Sequence, residues 1–283
     1  MSQATSSSSG QCLPIQFTVG VTYRILWAHF IVVLQLFWLP FVICAAAACS
    51  LWLYMDPREN EKLGFLFTTG ILYVAWIPTV PAMTAWIRFV IFDDIKPTDR
   101  LKYRVGKPEL SYASCASLLF LAFSCVAIVT FLFSALVFVI LSIGYSGTKQ
   151  FLTVVAFSIG YLCGFSPIAG YLLILPAAAV QSTQTAIETR IATSGNVFRL
   201  FANITLANFP VLGLFTYWLL AFPFDPTLLS NARDFGFPVL LTFLWFSYFI
   251  VMNTVLSVSF KLLCMSPSAS EEGTANQIFS PLR

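Results

Sequence analysis

Charge is what this sequence lacks. Only 10% of its 283 residues are Asp, Glu, Lys or Arg, whereas a domain folding in water carries roughly 25%. With 58% of the residues hydrophobic, there is too little polar surface to cover a soluble body. Histidine occurs once, as His29, so no HExxH zinc motif can be written. None of the seven cysteines forms a C-x-x-C pair, which argues against a zinc ribbon, a thioredoxin-like site or a disulfide framework. Glycine-rich phosphate loops are missing. No Lys/Arg cluster stands free of the apolar runs, and the net charge is a modest +3, so nucleic acid is not an expected partner. Asp, Glu, Lys and Arg are absent from the middle of every apolar run, which excludes the paired buried aspartates of an aspartyl intramembrane protease. "GFSPIAG" (164–170) has a Gly-x-Ser, but a serine nucleophile needs a base beside it and only His29 is on offer. No catalytic residue, metal site or cofactor is expected.

What is present is apolar length. The mean hydropathy is +0.84, and Phe alone occurs 29 times. A bilayer crossing needs about 20 mainly apolar residues. Six runs meet this, at about 25–54, 64–90, 113–143, 151–180, 200–223 and 236–263. The connections at 56–62, 144–150 and 223–236 are rich in turn residues, while 88–112 and 181–199 are longer and polar. The expectation is an all-α membrane protein, a bundle of six transmembrane helices in three hairpins with interfacial linker helices. It would have a disordered tail at 1–20, a membrane domain at 21–264 and a second disordered tail at 265–283. The opening "MSQATSSSSGQC" has no basic start or apolar core and does not read as a signal peptide.

Orientation follows from the basic residues. Arg58, Lys62, Lys149 and Arg233 lie in the tight turns, and the other eleven of the 15 lie with the termini and long linkers. The positive-inside rule then places both termini in the cytoplasm.

Three stretches share a pattern of Thr, four residues, an aromatic and Arg: Thr18, Tyr23 and Arg24; Thr98, Tyr103 and Arg104; Thr193, Phe198 and Arg199. Each stands before or at the mouth of an odd-numbered run. An aromatic at headgroup level and a snorkelling Arg suit such a boundary, and Thr can cap the helix leading in. A threefold hairpin repeat is the corresponding hypothesis; aromatic–Arg pairs being common at membrane borders is the alternative. The linkers are expected to hold surface helices. Trp86, Ile87, Phe89, Val90, Ile91 and Phe92 mix with charges as the headgroup zone favours, and the basic linker 88–112 suits anionic lipid headgroups. In the second linker, Gly195-Asn196 reads as a helix stop.

The candidate intramembrane polar residues are His29, Gln35, Asn203 and Asn253, with Asn208 beside them. His29 reads as a satisfied interfacial histidine, and the carboxamides as bonds between helices.

"WIRFVIFDD…PTDRLKYRVGKPELSY", "LPAAAV…ETRIATSGNVFRLF" and "VLSVSFKLL" together resemble a group of uncharacterised bacterial six-helix inner-membrane proteins, itself similar to the membrane domain of some glycerophosphodiester phosphodiesterases. The positions carrying this resemblance are Leu175, Pro176, Ala179, Gly195, Asn196, Phe198 and Arg199. It implies a bacterial inner-membrane location and transfers no catalytic residue. Two functions remain open: a non-enzymatic scaffold that engages another membrane protein of the envelope, or a transporter or channel for an uncharged or lipid-like solute.

Overall fold

A helix that is apolar all round must be enclosed by protein or by lipid. The computed structural model describes residues 12–54, 78–92, 106–122, 168–182, 186–221 and 236–265, which form helices and turns with no strand. The elements are α1 (Ile15–Ala28), α2 (Phe30–Tyr54), α3 (Thr79–Phe92), α4 (107–122), α5 (Ile174–Ala179), α6 (Ala186–Thr193), α7 (Val197–Ala221) and α8 (Gly236–Cys264).

α2 and α7 have 25 residues each and α8 has 29. At 1.5 Å per residue they run about 37–44 Å, more than the roughly 30 Å of a hydrocarbon core. Phe30–Ser50, Val197–Leu214 and Pro238–Cys264 are long and apolar enough to cross a membrane. These belong to the first, fifth and sixth expected runs. α3 covers the end of the second, α4 the start of the third, and 168–179 the end of the fourth. The rest of those runs, the tight turns, most of both tails, and Thr98, Tyr103 and Arg104 lie outside the described residues.

α8 is the central post. All ten residues from Val251 to Phe260 are buried, and α8 packs against α1, α2, α3, α5, α6 and α7. Aromatic pairs fix the directions. Phe37 meets Phe246, and Phe41 meets Phe243 and Phe246, so α2 and α8 run antiparallel. Leu13 lies beside Asn196 and Arg199, and Tyr23 beside Ala207, so α1 and α7 run parallel. α1 passes into α2 through His29, which still bonds along the helix on both sides: its N–H donates to Ile25 O and its carbonyl accepts from Val33 N.

The outer side of this column is as apolar as the inner side. Val32, Leu36, Phe37 and Cys44 face the core, while Trp27, Ile31, Leu34, Trp38 and Val42 are exposed, Trp27 to 86%. The exposed set recurs at helical spacing along about four turns, an apolar face far longer than monomeric water-soluble proteins tolerate.

Two expectations require correction. The segment Trp86–Ile91 is not a surface helix: Trp86 and Ile87 are completely buried, and Phe89, Val90 and Ile91 nearly so. The Trp86 indole stacks on Phe89 and its N–H has a partner on α8, so tertiary contact replaces the headgroup zone. The first tail is also shorter than residues 1–20, because helix begins at Ile15 and Leu13 is buried. At the other end, α8 stops at Cys264.

In the second linker the helix stop falls where the sequence indicated. α6 ends at Thr193, and Gly195 takes φ +80°, the left-handed conformation glycine adopts freely after a helix. Ile187 and Ile191, one turn apart on α6, are both exposed. α4 starts with half of a capping box: the Glu109 carboxylate accepts from the Gly106 N–H at 2.8 Å.

Candidate functional site

Among the described residues, the polar side chains inside the apolar bundle divide into two groups. The first is saturated. On α8, Asn253 Oδ1 accepts from the Tyr112 hydroxyl at 3.1 Å. Its amide donates to Phe249 O at 2.9 Å and approaches Met83 Sδ at 3.6 Å. At the neighbouring position on α8, the Trp86 indole N–H donates to Thr254 Oγ1 at 2.9 Å, and that hydroxyl donates in turn to Ile250 O at 2.7 Å. Ser257 donates to Asn253 O at 2.7 Å. These bonds lock α3, α4 and α8 together. In a membrane each such bond contributes on average about 0.6 kcal/mol, rising to about 1.7.

The second group is not saturated. Asn203 on α7 is completely buried, and neither its amide nitrogen nor its oxygen has a partner among the described residues. Asn208 donates to Ile204 O at 2.9 Å, but its Oδ1 is likewise unpartnered. Ser259 on α8 is buried and, unlike Ser257, makes no bond through its hydroxyl. Leu200, Asn203, Ile204, Ala207 and Asn208 are all buried and recur at helical spacing, so the carboxamides sit on the face of α7 that packs against α1 and α8. On α1, Thr18 and Thr22 are also fully buried. Their hydroxyls donate to Pro14 O and Thr18 O at 2.8 Å each. The α1–α7–α8 junction is therefore a second polar part of the interior.

The other expected residues fall in different places. His29 was expected to be satisfied, yet its Nε2 is buried with no partner among the described residues, and its ring stands edge-on to Phe89 at 4.7 Å. Gln35 was expected between helices and is exposed on the outer face of α2. Asn253 does bond between helices, as expected; Asn203 does not.

The Thr–aromatic–Arg pattern has two described copies, and their local structures differ. Thr18, Tyr23 and Arg24 all lie within α1, whereas Thr193 ends α6 and Phe198-Arg199 opens α7 after a turn. Neither Thr caps the following helix. Thr18 bonds back to Pro14 O, while Thr193 Oγ1 sits within 2.8–3.1 Å of Gly170 O, Thr189 O and Arg190 O, and a threonine one turn inside a helix reaches that carbonyl more easily than a free N–H. The Tyr23 hydroxyl donates to Ala207 O at 2.6 Å. Partial burial raises the pKa of this hydroxyl above the usual tyrosine value, so it remains a donor at neutral pH. Phe198 is 75% exposed. Arg199 has a defined role: its guanidinium donates to Leu13 O at 3.3 Å, while Asn196 Oδ1 accepts the Leu13 N–H at 2.8 Å. Asn196 occupies the N-cap position of α7 but spends its side chain on holding the chain that leads into α1.

Sequence reasoning missed Trp86, Tyr112 and Thr254. The available signal was the run Val251–Phe260, which carries Asn253, Thr254, Ser257 and Ser259 in otherwise apolar surroundings. Among the described residues no three of His, Cys, Asp or Glu come together, and Cys12, Cys44, Cys49, Cys115 and Cys264 are free thiols. No family model matches the chain, and no curated protein or solved structure matches it.

Proposed function

We propose that the chain is a six-span inner-membrane protein of bacterial type, arranged as three hairpins with both termini in the cytoplasm, acting as a non-enzymatic scaffold that engages another membrane protein. The resemblance to bacterial six-helix inner-membrane proteins supports the location, and the distribution of basic residues supports the orientation. The observation that carries the scaffold reading is the enclosed stretch of α8. There Asn253 and Thr254 use their hydrogen-bonding groups between helices, so this part of the polar interior is rigid glue. The apolar linker side chains Ile187 and Phe198, and the basic linker 88–112, suit contact with the bilayer surface and its anionic headgroups.

A second reading has its own observation. The unpartnered carboxamide of Asn203 is the kind of group that binds an uncharged, hydrogen-bonding solute inside a transporter.

Native mass spectrometry of the protein released from its own membrane separates the two. A stoichiometric protein partner supports the scaffold, whereas a retained small solute lost on Asn203→Leu supports transport. Single cysteines at positions 5 and 60, in a cysteine-free background, test the orientation. Position 60 should react with an impermeant maleimide in intact cells and position 5 only after permeabilisation; the reverse result refutes the proposed topology.

A further inference from the structure

α2 carries a seam that lipid alone does not explain. Ile31, Gln35, Trp38, Val42, Ala46 and Ser50 are all exposed and follow one another at three- or four-residue steps, so they form one stripe along five turns. Two features on this stripe are independent of each other. Gln35 is the only carboxamide, and no charge occurs, in Phe30–Tyr54. It lies about 8 Å inside the start of the apolar stretch, where its amide would face hydrocarbon with none of the bonds it has in water. Further along, Ala46 and Ser50 make a small-xxx-small pair, and the Ser50 hydroxyl is already bonded to Ala46 O at 2.8 Å. Small residues at this spacing let a second helix backbone approach closely.

We infer that this seam is a self-association surface, at which α2 packs against α2 of a second copy of the same chain. Chemistry selects that occupant. Copies inserted in the same direction are parallel, so a two-fold axis along the bilayer normal sets every seam residue against its own counterpart. A carboxamide carries both a donor and an acceptor. Two Gln35 side chains therefore satisfy each other reciprocally, Nε2–H to Oε1 in both directions, while Ala46 and Ser50 meet their small equivalents where the helices are closest. Trp38 and Val42 fill the space between these points.

This inference rests on the membrane reading, and the two fail differently. Alkaline carbonate first separates embedded from peripheral protein, and extraction of the chain overturns the membrane reading itself. Embedded protein, singly labelled, is then reconstituted at decreasing protein-to-lipid ratios into vesicles of phosphatidylethanolamine and phosphatidylglycerol and counted by stepwise photobleaching. Wild type should show two-step traces down to ratios at which Gln35→Leu shows one. The shift in dissociation constant should be about three- to thirtyfold, the range of interhelical hydrogen bonds in bilayers. Gln35→Asn should retain most of the dimer, and Ala46→Leu should weaken it by obstructing close approach. Leu206→Ala, exposed on α7 and so away from the seam, should leave it unchanged. One-step traces for wild type at every ratio, or a two-step fraction insensitive to Gln35→Leu, overturns the proposal. Since Gln35 is exposed, thermal unfolding of Gln35→Leu matching wild type confirms that the loss is one of association.

Discussion

Replacing asparagine by leucine should have opposite effects at positions 203 and 253. The side chains are similar in size, both are completely buried, and both lie on helices that flank the same interior. At Asn203 neither amide atom has a partner among the described residues. A buried polar group without a partner costs about 1–3 kcal/mol, so Asn203→Leu removes that penalty and adds apolar contact. The expected result is a gain of about 1–3 kcal/mol. At Asn253 the carboxamide satisfies Tyr112, Phe249 and Met83. Leucine there strands the Tyr112 hydroxyl in a site where tyrosine is 2% exposed, and the expected result is a loss of about 1–3 kcal/mol. Reversible unfolding in mixed micelles of mild detergent and dodecyl sulfate, followed by helical circular dichroism, measures both on one scale. A loss of 1 kcal/mol or more for Asn203→Leu would falsify the reasoning, since it would require a partner for that carboxamide within the folded chain. A variant that is more stable but has lost a bound solute would identify Asn203 as a group retained for binding at the expense of stability.

Other expectations concern single contacts. In a double-mutant cycle, Trp86→Phe and Thr254→Val should couple by about 0.6–1.7 kcal/mol; purely additive effects in the same unfolding assay would show that the 2.9 Å bond contributes nothing. Asn196→Ala should free the Leu13 amide, seen as faster hydrogen exchange at Leu13 and earlier proteolytic cleavage before α1, with α3 and α8 unaffected. Gly195→Ala should cost about 1 kcal/mol, because the φ of +80° is disfavoured for a residue with a Cβ while no neighbour lies within 4 Å to add a clash. Tyr23→Phe should lose about 0.5–1.5 kcal/mol through the bond to Ala207 O, without a change in oligomeric state.

The helical class and the ends of several helices could be read from the sequence because they depend on local chemistry. Apolar length gives the helices, and Gly195 stops α6 wherever the rest of the chain lies. Partners were not legible. Trp86 and its neighbours have the composition of a headgroup-zone segment, and their burial depends on Thr254, which is 168 positions away. The outward direction of Gln35 was hidden for another reason: α2 is apolar on both faces, so the pattern has no phase from which to tell inside from outside. His29 and Asn203 were expected to be satisfied because buried polar groups usually are; whether a partner is present is a property of packing. The shared Thr–aromatic–Arg spacing was real as sequence, but its first copy is continuous helix and its third is broken by a turn.

The position of α8 also affects how the molecule is made. Synthesis runs from the N-terminus, so α1, α2, α3 and α7 are made before the helix they all pack against exists. Until then Trp86 lacks its acceptor and Tyr112 its partner. The described bundle therefore cannot be completed before its last described helix is made. Protein arrested before α8 is delivered is predicted to be a substrate for membrane quality control, because it would expose the polar groups and apolar grooves that α8 covers.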